Sequence, residues 1–404
     1  MQVAIIGAGA AGCFCAIELR RRLPSARVTV FEAGPKALAK VALTGGGRCN
    51  LTNTFEGISK LEEPYPRGAS VVKNAFKALS PEQTFSWWEN AGVPLTVQPD
   101  GCVFPESQDA MQVVRTLERL MRDSGVELRF GRKVTRINEN LLLDIEGEEE
   151  PFRADAVLLA AGGLKEEALR SLLPPAVAVT PTVPSLFTLK IPDKGLNALM
   201  GTVVPDARLK LVESGLSAQG ILLITDWGIS GPTTLKLSSY AARELAQSSY
   251  KSTVEINWLG DDAQKAHAWT LEASSRQGRR QLSGFRPQAL SDRLWEHLLI
   301  RAGVDRTRKW AEISKEERQR LEQTLTCDRY PIDGRARFKE EFVTCGGVSL
   351  DGINIKTLGS KAVPGLFFSG EVLDIDAITG GFNLQAAWST GYMAAIGIFT
   401  YLCH

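Results

Sequence analysis

The sequence predicts an α/β fold in which a parallel-sheet domain is interrupted by an inserted segment of different character. Three observations carry this prediction. Residues 2–32 read as strand, glycine turn, helix, strand and acid; glycine-rich turns of ligand-binding type return between 346 and 381; and the stretch from about 188 to 335 lacks them.

The first unit sets the chemistry. Gln2 to Ile6 form a short apolar run, Gly7-Ala8-Gly9-Ala10-Ala11-Gly12 follow at once, a helix-like stretch leads to Arg22, and Val28 to Phe31 end at Glu32. This is the order in which a G-x-G-x-x-G turn seats a dinucleotide pyrophosphate on a helix N-terminus. Gly7 permits the tight turn, Gly9 lets phosphates approach the backbone, and Gly12 lets the helix lie close to the sheet. The unpaired N–H groups around Ala10 and Ala11, with the helix dipole, face the negative charge. Glu32, about 20 residues past the last glycine and followed by Ala33, is placed to accept hydrogen bonds from ribose hydroxyls.

Next comes Thr44-Gly45-Gly46-Gly47-Arg48-Cys49-Asn50-Leu51-Thr52-Asn53. Three successive glycines favour neither helix nor strand, and ordering them costs entropy. Linkers are longer and richer in serine, whereas this run leads straight into polar residues. It reads as a ligand-facing loop: Gly46, Gly47, Cys49 and Asn50 line it, and Lys40 and Arg48 stand near the phosphates.

Composition excludes other classes. With 404 residues and 44% hydrophobic content the chain holds two or three domains with substantial cores. A net charge of +1 gives no global pull toward nucleic acid or an acidic surface. The seven cysteines are scattered without a C-x-x-C, so no zinc knuckle or redox pair is predicted, and no metal-ligand cluster is apparent. Scattered thiols suit a reducing cytoplasm. The N-terminus lacks a basic segment ahead of its apolar run, so it does not read as a signal peptide. Ala377 to Cys403 carries no charge and is long enough to span a bilayer, but Gly380, Gly381, Asn383, Gln385, Ser389 and Thr390 make its first half too polar. A helix buried in protein is the expectation, with no membrane partner.

The combination of G-A-G-A-A-G, the acid ending the second strand, and T-G-G-G-R-C-N-L-T-N resembles a bacterial family of FAD-dependent oxidoreductases, the BaiN-like or aminoacetone-oxidase-like flavoproteins. Gly346-Gly347-Val348, Ser360-Lys361, the stretch Gly365 to Asp374, and Thr379-Gly380-Gly381-Phe382-Asn383-Leu384-Gln385 match that family as well. The resemblance covers roughly residues 1–163 and 340–396. It implies FAD as cofactor and a Rossmann-like FAD/NAD(P)-binding domain carrying an inserted β-barrel and helical domain.

Pro81 to Ala91 and Asp109 to Ser124 show helical spacing, whereas Val126 to Phe130, Lys133 to Ile137 and Leu141 to Ile145 alternate as strands, with a solvated tip at Gly147 to Glu150. In FAD domains of this type the backbone near Val134 pairs with the adenine edge. Ala156 to Ala161 is a buried strand ending in Gly162-Gly163, so Ala161 and Gly162 approach the cofactor. The chain departs from the family at Cys102, where an arginine is usual. It departs again after Gly163, where a glycine-rich stretch and a helix are replaced by Leu164-Lys165-Glu166-Glu167 and an early Pro174-Pro175.

The domains are expected at 1–187, 188–335 and 336–404, the first and last forming one FAD-binding domain. Within the insert, Ala207 to Val212, Gly220 to Thr225 and Thr253 to Trp258 read as strands. Asp226 to Pro232 reads as a loop before Leu235 to Leu245, and about 260–326 as mainly helical, from Asp262 to Ala273 and from Leu290 to Leu325. Nine basic against three acidic residues between Arg276 and Lys309 usually mark a solvated helix face. Nucleic acid is therefore a disfavoured partner.

In the last block, Gly365 to Gly370 is an apolar strand, Glu371 or Asp374 is placed for ribityl hydroxyls, and Gly381, Phe382, Asn383 and Leu384 open a helix toward the flavin N1/C2=O edge. His267, His297 and His404 lie outside these motifs, so no histidine base is predicted and no catalytic residue is named. The expected function is FAD-dependent hydride transfer on a small organic substrate: reduction of a C=C bond, or oxidation of an amine or ketone. With one dinucleotide turn in the chain, NAD(P)H would be a transiently docking donor, and oxygen is the other redox partner considered. An RNA-modifying flavoenzyme and a non-enzymatic flavin-binding protein are the alternatives. The sequence does not set the oligomeric state.

Overall fold

The computed structural model describes residues 1–260, 263–336 and 343–404. The chain divides into two compact units, Met1–Val183 with Val343–His404, and Pro184–Phe342. The units divide at 183/184 and 342/343, where the sequence reading places 187/188 and 335/336. Residues 337–342 of the expected third segment, and the expected helix start at Asp262, lie outside the described residues.

The first unit is built on a five-stranded sheet in the order Leu366–Phe368, Ala156–Leu159, Gln2–Ile6, Arg27–Glu32, Glu127–Phe130. All neighbours pair in parallel, with Val3 opposite both Ala156 and Val28, and Leu158 opposite Phe367. A central parallel strand is covered on both faces, which is why residues 3–6 are continuously apolar and buried. The strand contributed by the last block of the chain pairs with Ala156–Leu159, so sequence ends far apart complete one sheet.

The first helix, Ala10–Arg22, has Gly9 at its N-cap with no side-chain cap, and Arg20, Arg21 and Arg22 in its last turn. Those arginines complement the negative helix end and leave the N-terminus as the positive pole. Other helices start on local signals. Ser80 and Gln83 form a reciprocal capping box ahead of Pro81–Asn90, and the Asp109 carboxylate accepts from Met111 N (2.9 Å) ahead of Ala110–Asp123. After Gly163 the chain forms a short helix, Glu166–Leu172, rather than a bare link. Leu169 and Leu172, three apart, are its buried residues, and that spacing is too brief to stand out in the sequence.

The charge-free C-terminal segment is the helix Phe382–Cys403. Its polar residues are buried but satisfied: Gln385 Nε2 donates to Thr84 Oγ1 (2.9 Å) and Ser389 Oγ (2.8 Å), and Ser389 Oγ donates to Leu79 O (2.7 Å). Trp388 Nε1 donates to Leu51 O (2.9 Å), and its ring packs against Phe14 of the first helix at 5.5 Å. Such groups would lose their partners in lipid. No helix among the described residues is long and apolar enough to cross a membrane.

The second unit is a six-stranded antiparallel sheet in the order Leu189–Lys190, Gly228–Ser230, Ser217–Ile224, Val203–Leu211, Lys251–Asn257, Asp328–Asp333. Its two outer strands meet, with Lys190 N donating to Gly334 O (2.9 Å) and Ala336 N to Thr188 O (3.2 Å), so the sheet is nearly closed as a barrel. Leu209, Leu222, Ile256, Trp295 and Leu298 lie in its core. Two expectations are corrected here. Residues 226–232 are not all loop, because Gly228–Ser230 pairs with both Leu189–Lys190 and Ser217–Ile224. Residues 232–247 form two helices, Pro232–Tyr240 and Ala242–Gln247. The helix expected over 290–325 is likewise two, Asp292–Arg301 and Lys315–Thr326, each started by a serine cap, Ser291 and Ser314.

Candidate cofactor site

The glycine turn meets each steric demand placed on it. A Cβ on Gly7 would stand 2.5 Å from Ala160 O, and one on Gly12 would overlap Gly7 O, so both are close approaches of backbone to backbone. Gly9 differs: nothing lies within 4 Å of where its Cβ would be. The turn is therefore packed tightly on both sides of one open position, at an uncapped helix N-terminus. That is the space and polarity a pyrophosphate needs, and these residues fit a dinucleotide.

Glu32 is fixed from both sides, its Oε2 accepting from Ala8 N (2.9 Å) and its Oε1 from Gly34 N (2.8 Å). A carboxylate has about four acceptor positions, so two remain for ribose hydroxyls. Ala33 follows at the surface. Arg132 N donates to Glu32 O (2.9 Å), which ties the approach to Val134 directly to this residue. Val134 itself is buried and pairs with Ile145 in a separate three-stranded sheet.

The loop after Thr44 turns left-handed, with φ of 58°, 68° and 84° at Gly45, Gly46 and Gly47. No side chain is comfortable there, and nothing lies within 4 Å of a Cβ on Gly46 or Gly47. The Arg48 guanidinium stacks on Phe104 at 4.4 Å, and its Nε donates to Gly45 O (3.2 Å), so the side chain folds back on its own loop. The Cys49 side chain is fully buried, and burial pushes its thiol up to about 12. Only its backbone is left to meet a ligand. The Asn50 amide donates to Thr52 O (3.0 Å) and accepts from Gly381 N (3.2 Å), joining this loop to the terminal helix.

A second convergence lies at Glu371. Its Oε1 accepts from Thr344 N (2.8 Å), and its Oε2 stands 3.7 Å from Lys40 Nζ. A Cβ on Gly162 would lie 3.8 Å from Glu371 Oε2 and 3.9 Å from Lys40 Nζ, which brings the Ala161-Gly162 turn to the same place. One on Gly370 would come within 2.9 Å of the Ala11 Cβ, so the last strand's exit lies against the first helix. The structure thus joins residues 7–12, 40, 161–162 and 370–371 around the helix N-terminus. Asp374 N donates to Val348 O (3.1 Å), and the Asp374 charge helps to raise the Arg67 pKa.

The terminal helix starts where Gly381 presses against the 50–53 loop: its Cβ would overlap Thr52 O. The helix's own bonding begins with Gln385 N to Gly381 O (3.0 Å), so the N–H groups of Phe382, Asn383 and Leu384 precede it. The Asn383 side chain is anchored to Ala377, Oδ1 accepting from Ala377 N and Nδ2 donating to Ala377 O, both at 3.0 Å.

Sequence reasoning missed the support beneath this site. Arg67 and Asp376 form a two-pronged pair at 2.5 Å with the carboxylate fully buried. Burial works against the Arg67 charge, but the hydrogen bonds and charge of Asp376 outweigh it and raise the guanidinium pKa. Tyr65 OH donates to Phe382 O (2.8 Å), and burial raises its pKa. Two acids, Asp374 and Asp376, interrupt the apolar run Val372 to Ile378, but nothing in the sequence shows which is buried or selects Arg67 as its partner. Among the described residues no group of three or more His, Cys, Asp or Glu side chains is arranged to hold a metal.

Comparisons with known proteins bear on this geometry. A family model described as HI0933-like protein Rossmann domain matches residues 1–397. The chain is 30% identical over 415 residues to the 3-dehydro-bile acid delta(4,6)-reductase of Clostridium scindens, covering 97% of this chain and 98% of that protein. It is 29% identical to a Haemophilus influenzae protein named ribosomal RNA dihydrouridine synthase, over 98% of this chain and 97% of that one. Among solved structures, a variant of the E. coli quinol fumarate reductase subunit FrdA superposes with a TM-score of 0.51 at 15% identity, over 100% of this chain and 71% of that one. That last likeness is one of fold.

Proposed function

The chain belongs to the HI0933-like family of FAD-binding Rossmann proteins, and from that premise we propose that this flavoprotein oxidoreductase reduces an activated C=C bond in a small organic substrate. The observation that carries the reading is the open position at Gly9, framed by Gly7 and Gly12 and joined by Lys40 and Glu371. The Clostridium relative, a delta(4,6)-reductase by name, supports C=C reduction over amine or ketone oxidation.

FAD would supply hydride transfer when bound; the chain supplies position and charge. The N–H groups of Ala10, Ala11 and Gly12 hold the pyrophosphate, and Glu32 holds the adenosine ribose. Glu371 accepts from ribityl hydroxyls, with Lys40 balancing its charge. The exposed backbone of Gly46 and Gly47 would be the part of this loop to meet the flavin ring. The first turn of the terminal helix, at Phe382, Asn383 and Leu384, directs N–H groups at the flavin edge where negative charge gathers on reduction. NAD(P)H is the proposed donor, docking transiently. The cytoplasm is the proposed compartment, a reading supported by seven cysteines that are all free.

Purified protein is expected to be yellow and to release FAD on denaturation. Anaerobic titration with NADH and NADPH should bleach the flavin, and a panel of conjugated enones should restore its colour. A colourless protein that cannot be reconstituted sinks the reading; a flavin that neither accepts nor donates electrons points to a non-enzymatic carrier. An RNA-modifying flavoenzyme is the second reading, supported by the Haemophilus relative's name and by Arg279, Arg280 and Lys309. Five of the nine basic residues from Arg276 to Lys309 are engaged by acids, namely Arg276, Arg286, Arg301, Arg306 and Arg308, which leaves a smaller positive surface than the sequence implied. Steeply salt-dependent RNA binding would favour this second reading.

A further inference from the structure

We propose that Asn383 is a positioning residue: its side chain closes the loop 377–383 into a ring and thereby sets the flavin's reduction potential. The proposal rests on the FAD reading above. Both the acceptor and the donor side of the Asn383 amide engage one residue, accepting from Ala377 N and donating to Ala377 O at 3.0 Å each. A primary amide of this length is the group that supplies acceptor and donor together; aspartate carries no donor when ionised, and leucine, of similar shape, carries neither.

The ring matters because of what else holds the loop. Ile378 N donates to Pro64 O (2.9 Å), Asn53 Nδ2 donates to Gly380 O (3.0 Å), and Tyr65 OH donates to Phe382 O (2.8 Å). Gly380 and Gly381, with φ of 129° and 86°, form the turn between these anchors and the helix. Asn383 spans that turn from the helix side, so it fixes where the N–H groups of residues 382–384 stand relative to the sheet. Those groups are the ones assigned to the flavin edge that gains negative charge. A few tenths of an ångström of drift weakens the stabilisation of the reduced form more than that of the oxidised form, because only the former carries the charge.

The test is the midpoint potential of bound FAD, with its dissociation constant, in wild type, Asn383→Leu and Asn383→Asp. Asn383→Leu is expected to keep FAD but to bind the reduced form about tenfold less well relative to the oxidised form, a fall of about 30 mV for a two-electron couple. Asn383→Asp keeps the bond from Ala377 N, loses the one to Ala377 O and adds a charge at the helix start, so its potential should fall at least as far. If Asn383→Leu does not fold, Asn383→Ala, which also removes both bonds and adds no charge, takes its place. Wild-type potentials in both variants, with only a lower melting temperature, would reduce Asn383 to a structural role and overturn the proposal. Loss of FAD affinity at an unchanged potential would make the side chain a direct ligand and overturn it equally. Wild-type protein that binds no FAD would instead bring down the underlying reading, a different and distinguishable failure.

Discussion

Gly391 of the terminal helix lies against Ala11 of the first: a Cβ on Gly391 would stand 2.7 Å from the Ala11 carbonyl oxygen. The helix that closes the fold thus packs on the helix that opens the glycine turn. Gly391→Val should separate them, loosening the Phe14–Trp388 contact, at a cost of about 1–3 kcal/mol. Urea denaturation would show this alongside a lower flavin content. Wild-type stability would mean the two helices tolerate a wider crossing.

The glycines of the turn should separate by role. Gly9→Val puts a side chain into open space, so the fold should survive and FAD should be lost. Gly12→Val drives a side chain into Gly7 O, so the fold itself should fail. Circular dichroism and flavin content together check this; full flavin retention in Gly9→Val counts against the cradle.

Arg67→Leu leaves the buried Asp376 carboxylate without its guanidinium, and is expected to cost about 3–5 kcal/mol. Removing both charges together should recover much of that loss. A double-mutant cycle with no coupling would show that the pair does not act as a unit.

Native protein treated with iodoacetamide should be alkylated at Cys327 and Cys403, the two exposed thiols, while the five buried ones stay intact until unfolding. Burial raises the thiols of Cys13, Cys15 and Cys49, the last from 9.0 to about 12. A raised folded value means that the neutral form is favoured in the fold. Its contribution is therefore complete below pH 9 and lost as pH rises toward 12. Melting curves from pH 8 to 11 should fall accordingly, and mass spectrometry counts the adducts.

Truncation near residue 340 should abolish FAD binding although the entire G-x-G-x-x-G turn is retained. It removes Leu366–Phe368 from beside Ala156–Leu159, and Glu371 from beside Lys40. A 1–340 fragment with normal FAD affinity would contradict a site drawn from both chain ends.

The parts of this fold legible in sequence are those governed by local rules. The Gly7–Gly12 turn and the acid cap at Asp109 each declare themselves within a few residues, whereas at Val134–Ile137 a register shift between Val134 and Arg136 breaks the expected alternation. The insert also declares itself, because a change of composition needs no long-range information. Illegible were the relations settled by tertiary contact. Gly228–Ser230 is too short to show a period and is a strand only because Leu189–Lys190 and Ser217–Ile224 flank it. Arg67 and Asp376 are 309 residues apart, and no spacing rule connects them. The attachment of the Asn383 side chain to Ala377 depends on a backbone turn that the sequence only permits.

The strand order has a consequence for biosynthesis. Ala156–Leu159 leaves the ribosome with Gln2–Ile6 available on one side and nothing on the other, since its second neighbour, Leu366–Phe368, is made some two hundred residues later. At about 5–20 residues per second that wait is on the order of 10–40 s. Throughout it, the apolar edge of Val157, Leu158 and Leu159 stays open while the whole second unit is translated. Trigger-factor-like chaperones that shield nascent apolar edges should therefore matter more for the yield of this protein than for a variant rearranged so that the two strands are synthesised in succession.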